Sequence, residues 1–363
     1  MSTFDSIFGN PKLKESFNRK AALYLQKNLC DFVTEPSKLA KAQETIDKLI
    51  SQSNGGSFIM VVYQKARSGR GVKTHGRLFA RTPGAMQTMP RRIRQTLCAG
   101  VWIDLDFVNC HPVILRRLCK DVLKLPCPNL ARYVTDRDRM LQEMVAGGVV
   151  DRDEAKRMVL KTMNGGTVNK VKTDWWEPLC NEFSTIAHRI AYHFAYKKYF
   201  NELDKDEDKY NLSARVMNAV LCNEENLCLE KLYKYLEGEE VMLHECSLIF
   251  DGLMIPDTPI NREKISSPEF LKRASEFIKT RTGHQLEVKV KEFDEVYQLP
   301  EKFADIISDI IVIEAGNDDM AAKEFMRVHG HRLKKCKNRT FWEQDWIYIE
   351  ELPRIKHAIM DLL

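Results

Sequence analysis

The sequence predicts a mixed α/β (α+β) protein, and three features predict it. Short β-rich runs at 57–63, 100–107 and 246–255 stand between long stretches of helical periodicity. Two of those runs end on or beside an aspartate, Asp106 and Asp251. A basic segment lies between the first run and the second.

Along the chain, residues 11–52 read as helical, with Leu23, Leu25, Leu29 and Phe32 among many Lys, Gln and Glu. Ser53, Gly55 and Gly56 break the pattern before the strand at 57–63. Residues 100–107 alternate apolar side chains with Asp104 and Asp106, as a strand edge opening onto a cleft does. Pro112 suits the first turn of a following helix. Residues 137–163 and 175–200 read as helices separated by Asn164-Gly165-Gly166, and another helix fits 212–237. The run from Cys246 meets Asp251-Gly252, a turn dipeptide, and resumes at Leu253, which predicts a hairpin with an acid at its tip. Residues 302–363 read as a separate, mostly helical tail with some strand at 346–349.

The 363 residues exceed what one core usually serves, so two or three subdomains are expected. Hydrophobic residues make up 44% and charged ones 29%, which excludes a disordered or fibrous chain. No apolar run reaches the ~20 residues of a membrane span, and the N-terminus lacks the order of a secretory signal. The ten cysteines form no C-x-x-C pair and are expected as reduced thiols, so the chain is read as intracellular. Net charge is +5, but residues 65–94 carry nine Lys or Arg and no Asp or Glu, leaving 47 basic against 51 acidic elsewhere. Such a segment is either the footprint of a polyanion or a solvated basic loop.

Two strand-borne acids separated by helical sequence suit two hard cations, since Mg²⁺ takes carboxylate oxygens and rigid strands hold a metal pair close. Alone the signal is weak, because an Asp before Gly in a hairpin is more often plain turn chemistry.

Order and spacing favour the first reading. The chain shows Gly76-Arg77-Leu78, Gln87-Thr88-Met89-Pro90, then Asp106-Phe107 with His111 five residues on. Arg152 to Lys156 and Asn164-Gly165-Gly166 follow, then Arg215 with Asn218, and finally Ile249-Phe250-Asp251-Gly252. In that order these segments resemble the motifs of the family A DNA polymerases over residues 74–256. The compact pattern looks like the transposon–virus polymerases, some of which are fused to a superfamily 3 helicase. Ala321–Phe325, His331 and Phe341-Trp342 resemble the segment before that helicase; no Walker A motif is present.

The resemblance implies a right-hand polymerase with an antiparallel palm sheet, helical fingers and a reduced thumb. It divides the chain into a thumb-like region (1–73), palm (74–119), fingers (120–210), palm (211–300) and tail (301–363), too short for an exonuclease domain. It implies that Asp106, Asp251 and the Phe107 carbonyl hold Mg²⁺ or Mn²⁺. Arg152 and Lys156, one helical turn apart, would meet the triphosphate, with Leu160 and Asn164 further along that face. Arg77, Gln87, Arg215 and Asn218 would touch a DNA primer–template. A superfamily 3 helicase, in cis or in trans, is an implied partner, and no membrane is.

The departures are informative. His111 stands where the family has a Glu that helps exclude ribonucleotides, so sugar choice stays open. Phe250 and Gly252 replace the polar residues flanking the second Asp, and Asn164 stands where the family has an aromatic residue. Three readings follow: a DNA polymerase, a primase or RNA-synthesising polymerase, and an inactive fold that binds nucleic acid. His329, His331 and Cys336 read as ordinary residues, not a zinc site. His188 and His193 read as part of a packed aromatic face, and Trp175-Trp176 as core. Asp104 is a further candidate on the face of Asp106.

Overall fold

The computed structural model describes residues 11–65, 76–168, 171–204 and 210–300, with backbone alone at 67–68, 71–72, 333–336 and 339–342. The chain is a mixed α/β protein with antiparallel sheets. It forms two compact units, each assembled from separated stretches.

The first unit comprises residues up to 15, 60–82 and 102–292. A three-stranded sheet joins β1 (Lys12–Ser16), β2 (Phe58–Lys65) and β3 (Leu78–Ala80), in that order. Strand β1 corrects the helical reading of 11–52: five residues are too few to show a period, and the helices begin only at Arg19. Its Glu15 is fully buried and is bound by the Tyr63 hydroxyl and, at 2.7 Å, by Ser247 Oγ. A buried carboxylate is tolerable only with such donors.

The unit's second sheet places β4 (Trp102–Phe107) between β6 (Gly252–Pro256) and β7 (Val288–Lys291), with β5 (Ser247–Ile249) outside β6. All pairs are antiparallel, with Leu105 opposite Leu253 on one side and Val290 on the other. The predicted hairpin at Asp251 is therefore β5–β6.

Helices α4 (Cys110–Leu118), α5 (Pro128–Thr135), α6 (Arg137–Ala146) and α7 (Arg152–Met163) follow β4. The expected single helix over 137–163 is two, because Gly148 takes φ +104° between them. Asp151 caps α7 by accepting from the Glu154 amide at 2.7 Å, and Ala155, Met158, Val159 and Met163 form its buried stripe. Next come α8 (Trp176–Ala191), α9 (Lys197–Leu203) and α10 (Leu212–Gly238). The expected helix over 175–200 breaks after Tyr192, where His193 turns extended and its side chain accepts from the Ala195 amide. Trp175 and Trp176 are core, as read. Helix α10 is apolar on most sides and packs on α4, α8, α9 and α12 (Pro268–Thr282). A short α11 (Pro259–Ile265) links β6 to α12.

The second unit comprises 16–59, 83–101 and the chain from 293. It contains α1 (Arg19–Asn28), α2 (Pro36–Ser53) and α3 (Arg91–Cys98) around Leu25, Ile46, Leu49, Ile93 and Leu97. Gly84 lies against α2 at φ +80°, where a Cβ would meet the Leu49 amide nitrogen at 2.6 Å. The tail reading at 302–363, and with it the His329, His331 and Cys336 reading, lies outside the described side chains.

Gly84→Ala adds left-handed strain to a backbone clash. It should lower stability by about 2 kcal/mol or more, measured as a shift in the urea midpoint at unchanged slope.

Candidate active site

The antiparallel register of β4 and β6 places the two acids together. Asp106 is opposite Gly252, and the Phe107 amide donates to the Asp251 carbonyl at 3.3 Å. Asp251 sits at the hairpin tip after Phe250, whose φ of +55° bends the chain so that the carboxyl faces β4's end. Gly252 is required there. A Cβ would lie 2.4 Å from the Leu105 carbonyl oxygen and 3.2 Å from Asp106 Oδ1. No side chain has room at that position.

Both acids line a cleft of about 520 Å³ in the first unit. Phe107, His111, Lys156, Leu160, Asn164, Arg77 and Asn218 line it too, so most of the residues singled out from the sequence meet in one place. Burial first, and then the charge of Asp106, raise the Asp251 carboxyl well above the ordinary range. The Lys156 ammonium is lowered, by burial first and then by Arg137 and Lys291. Its neighbours are thus cations as well as the two aspartates.

Three sequence-selected residues fall elsewhere. Arg152 Nη2 binds Asp138 at 2.5 Å on the exposed side of α7 and does not line the cleft. Gln87 is buried on the turn Met86–Thr88 of the second unit. Arg215 lies on α10 three residues before Asn218 but does not line the cleft. Asp104 is buried and opposite Lys291 in the ladder.

The structure adds residues that sequence reasoning passed over. Lys291, on β7, donates to Asp106 Oδ2 at 2.8 Å, and that carboxylate outweighs burial to raise the lysine's proton affinity. Arg137, at the start of α6, lines the cleft with an Nε that has no partner among the described residues. Asn109 Nδ2 on the same wall is likewise unpartnered among them.

Glu225 is the fourth addition. Fully buried on α10, it accepts from Arg77 Nε at 2.5 Å, Arg77 Nη2 at 2.6 Å and His111 Nε2 at 2.7 Å. Burial depresses the His111 imidazole, but hydrogen bonds to Cys222 and Glu225 outweigh it and push its pKa up to about 9. Burial raises Glu225, and its two cations pull it below the usual range. Two cations on one carboxylate leave a net positive charge beneath the acids. Asn218 donates to Asn164 at 2.7 Å, tying α10 to the end of α7 across the cleft.

Two carboxylates and a backbone carbonyl fit Mg²⁺, which binds through one or two carboxylates and completes its shell with water and substrate phosphates. Among the described residues no group of three or more His, Cys, Asp or Glu forms a protein-only metal cage. Their nine cysteines are free thiols. No helix among them is long and apolar enough to cross a membrane.

No family model matches the chain. Over 283 residues it is 25% identical to "Putative helicase V13" of Sputnik virophage, covering 74% of this chain and 34% of that protein. The chain thus spans about a third of that relative's length. Among solved structures, the POL domain of Pol1 from M. smegmatis, in complex with DNA primer-template and dNTP, aligns over 80% of this chain and 60% of that one. The TM-score is 0.49 and the identity 14%.

Glu225→Ala should cost about 3–5 kcal/mol, because two buried cations lose their carboxylate. The His111 pKa is raised on folding, so its contribution is complete below about 6.5 and is lost as pH rises through about 9. His111→Gln should flatten that alkaline decline in denaturant titrations.

Proposed function

We propose that this cleft performs template-directed nucleotidyl transfer. The observation that carries the reading is Asp106 on β4 beside Asp251 at the tip of the β5–β6 hairpin, with Lys156 lining the same cleft. In this reaction a strand's 3′-hydroxyl oxygen bonds to the α-phosphorus of a nucleoside triphosphate. The bond to the β-phosphate oxygen breaks, and pyrophosphate leaves.

Asp106, Asp251 and the Phe107 carbonyl would hold divalent cations, Mg²⁺ or Mn²⁺. Bound there, such ions stabilise the charge on the reacting phosphoryl group and lower the pKa of the attacking hydroxyl. The protein's own cations face the leaving phosphates. Lys156 is half-buried, which strengthens its interaction with phosphate oxygens. Arg137, with a free Nε, takes the role the sequence assigned to Arg152. Lys291, which donates to Asp106 Oδ2, stands in the same cleft and would add a third cation toward the phosphates. Leu160 and Asn164 form the wall against which the incoming base packs.

In this reading the β5–β6–β4–β7 sheet is the palm, residues 120–210 the fingers and 1–73 thumb-like. DNA primer–template is the substrate, positioned within the first unit by Arg77, Arg215 and Asn218. Likeness to a virophage protein named as a putative helicase supports replication of a virus or mobile element with a helicase as partner, of superfamily 3 if the sequence resemblance holds for the tail. The ion-paired His111 favours a second reading, a primase or RNA-synthesising enzyme. The intact acid pair opposes the third, an inactive fold.

Template offered with and without primer, with deoxy- or ribonucleotides in Mg²⁺ or Mn²⁺, tests these readings. Primer-dependent deoxynucleotide incorporation is expected. Asp106→Asn and Asp251→Asn should each abolish it with DNA binding retained, Lys156→Ala should lower it by about 10²-fold or more, and Arg137→Ala should cost more than Arg152→Ala. Near-normal activity in either Asp variant sinks the assignment. Ribonucleotide use should fall relative to deoxynucleotide use in His111→Glu combined with Glu225→Gln, which avoids two facing carboxylates.

A further inference from the structure

The corner between α8 and α9 exposes aromatic rings that the core does not use. Tyr192 is 64% exposed and Phe194 is 84% exposed, where His188 and His193 with their neighbours were expected to pack. Neither ring is loose. Tyr192 lies between His188, at 4.7 Å between centroids, and Phe200, at 5.2 Å, and Phe194 lies 4.5 Å from His193. The His193 side chain also fixes the corner's backbone by accepting from the Ala195 amide at 3.3 Å. Rings held in place with open faces lose little freedom when another π-system stacks on them.

Cations flank the rings. Arg189 on α8 and Lys197 and Lys198 on α9 are exposed. Lys65, the first residue of the basic segment, has its proton affinity lowered by burial and then by the charge of Lys198. Like charges brought this close are relieved by a polyanion. The acid on the same helix is Glu202, toward its other end, with Asp204 just beyond it. Stacking faces interleaved with cations suit unpaired bases joined by phosphates, because every base has a π-face and a duplex hides it.

We propose that this corner binds single-stranded nucleic acid, stacking bases on Tyr192 and Phe194 and holding phosphates with Arg189, Lys197, Lys198 and Lys65. The surface lies outside the cleft lining, so the inference stands apart from the proposed chemistry.

Fluorescence anisotropy with a labelled oligothymidylate, beside a fully paired hairpin, tests it on the full chain. Tyr192→Ala with Phe194→Ala should weaken oligothymidylate binding at least about tenfold, with hairpin affinity changed less than about twofold. Lys197→Glu with Lys198→Glu should reduce the slope of log affinity against log salt by about 1.4. Unchanged oligothymidylate affinity in the aromatic variant overturns the proposal. So does an equal loss for the hairpin, which marks general charge attraction. Self-association lost in the aromatic variant, with oligothymidylate affinity unchanged, assigns the rings to a contact between copies and also overturns it. Nucleotide incorporation on a short primed template, read separately, distinguishes failure here from failure of the proposed reaction.

Discussion

Asp106 and Asp251 are held side by side by a ladder that cannot slip. Their strands share a register in which Asp106 faces Gly252, and a one-residue shift would turn one acid away and drive a side chain into the sheet. Burial raises the proton affinity of Asp251, and the repulsion between two carboxylates brought together adds to it. The surrounding structure supplies the opposing charge.

That opposing charge comes from two sides. Beneath the acids, Arg77 and His111 share the single carboxylate of Glu225, so the buried layer is positive overall. Across the cleft stand Lys156, Arg137 and Lys291, from two helices and the edge strand. Burial lowers the proton affinity of Lys156, and the neighbouring charges of Arg137 and Lys291 lower it further. In the proposed reaction these two signs would meet a ligand carrying both, divalent cations with phosphates.

Much of this was legible in the sequence, for identifiable reasons. The acid-tipped hairpin announces itself because Asp-Gly between apolar runs has few other uses. The register that joins it to Asp106 became plausible only through ordered motifs, since neither acid has distinctive neighbours. Glu225 was not legible, because Asn223-Glu224-Glu225-Asn226 reads as a solvated turn of helix until α4 and Arg77 are packed over it. Lys291 was hidden in Val-Lys-Val-Lys, an ordinary edge-strand pattern whose outer residues usually face water. Arg152 was misplaced because helical spacing specifies a face but not a partner, and Asp138 on α6 captures its guanidinium.

The central claim is that the two acids act as one cation site completed by a nucleotide. Electron paramagnetic resonance of Mn²⁺, titrated with and without a nucleoside triphosphate, measures it directly. The account predicts weak Mn²⁺ binding alone, strong binding with the triphosphate, and loss of the strong sites in both Asp106→Asn and Asp251→Asn. Nucleotide-dependent Mn²⁺ sites that persist in either variant would contradict it.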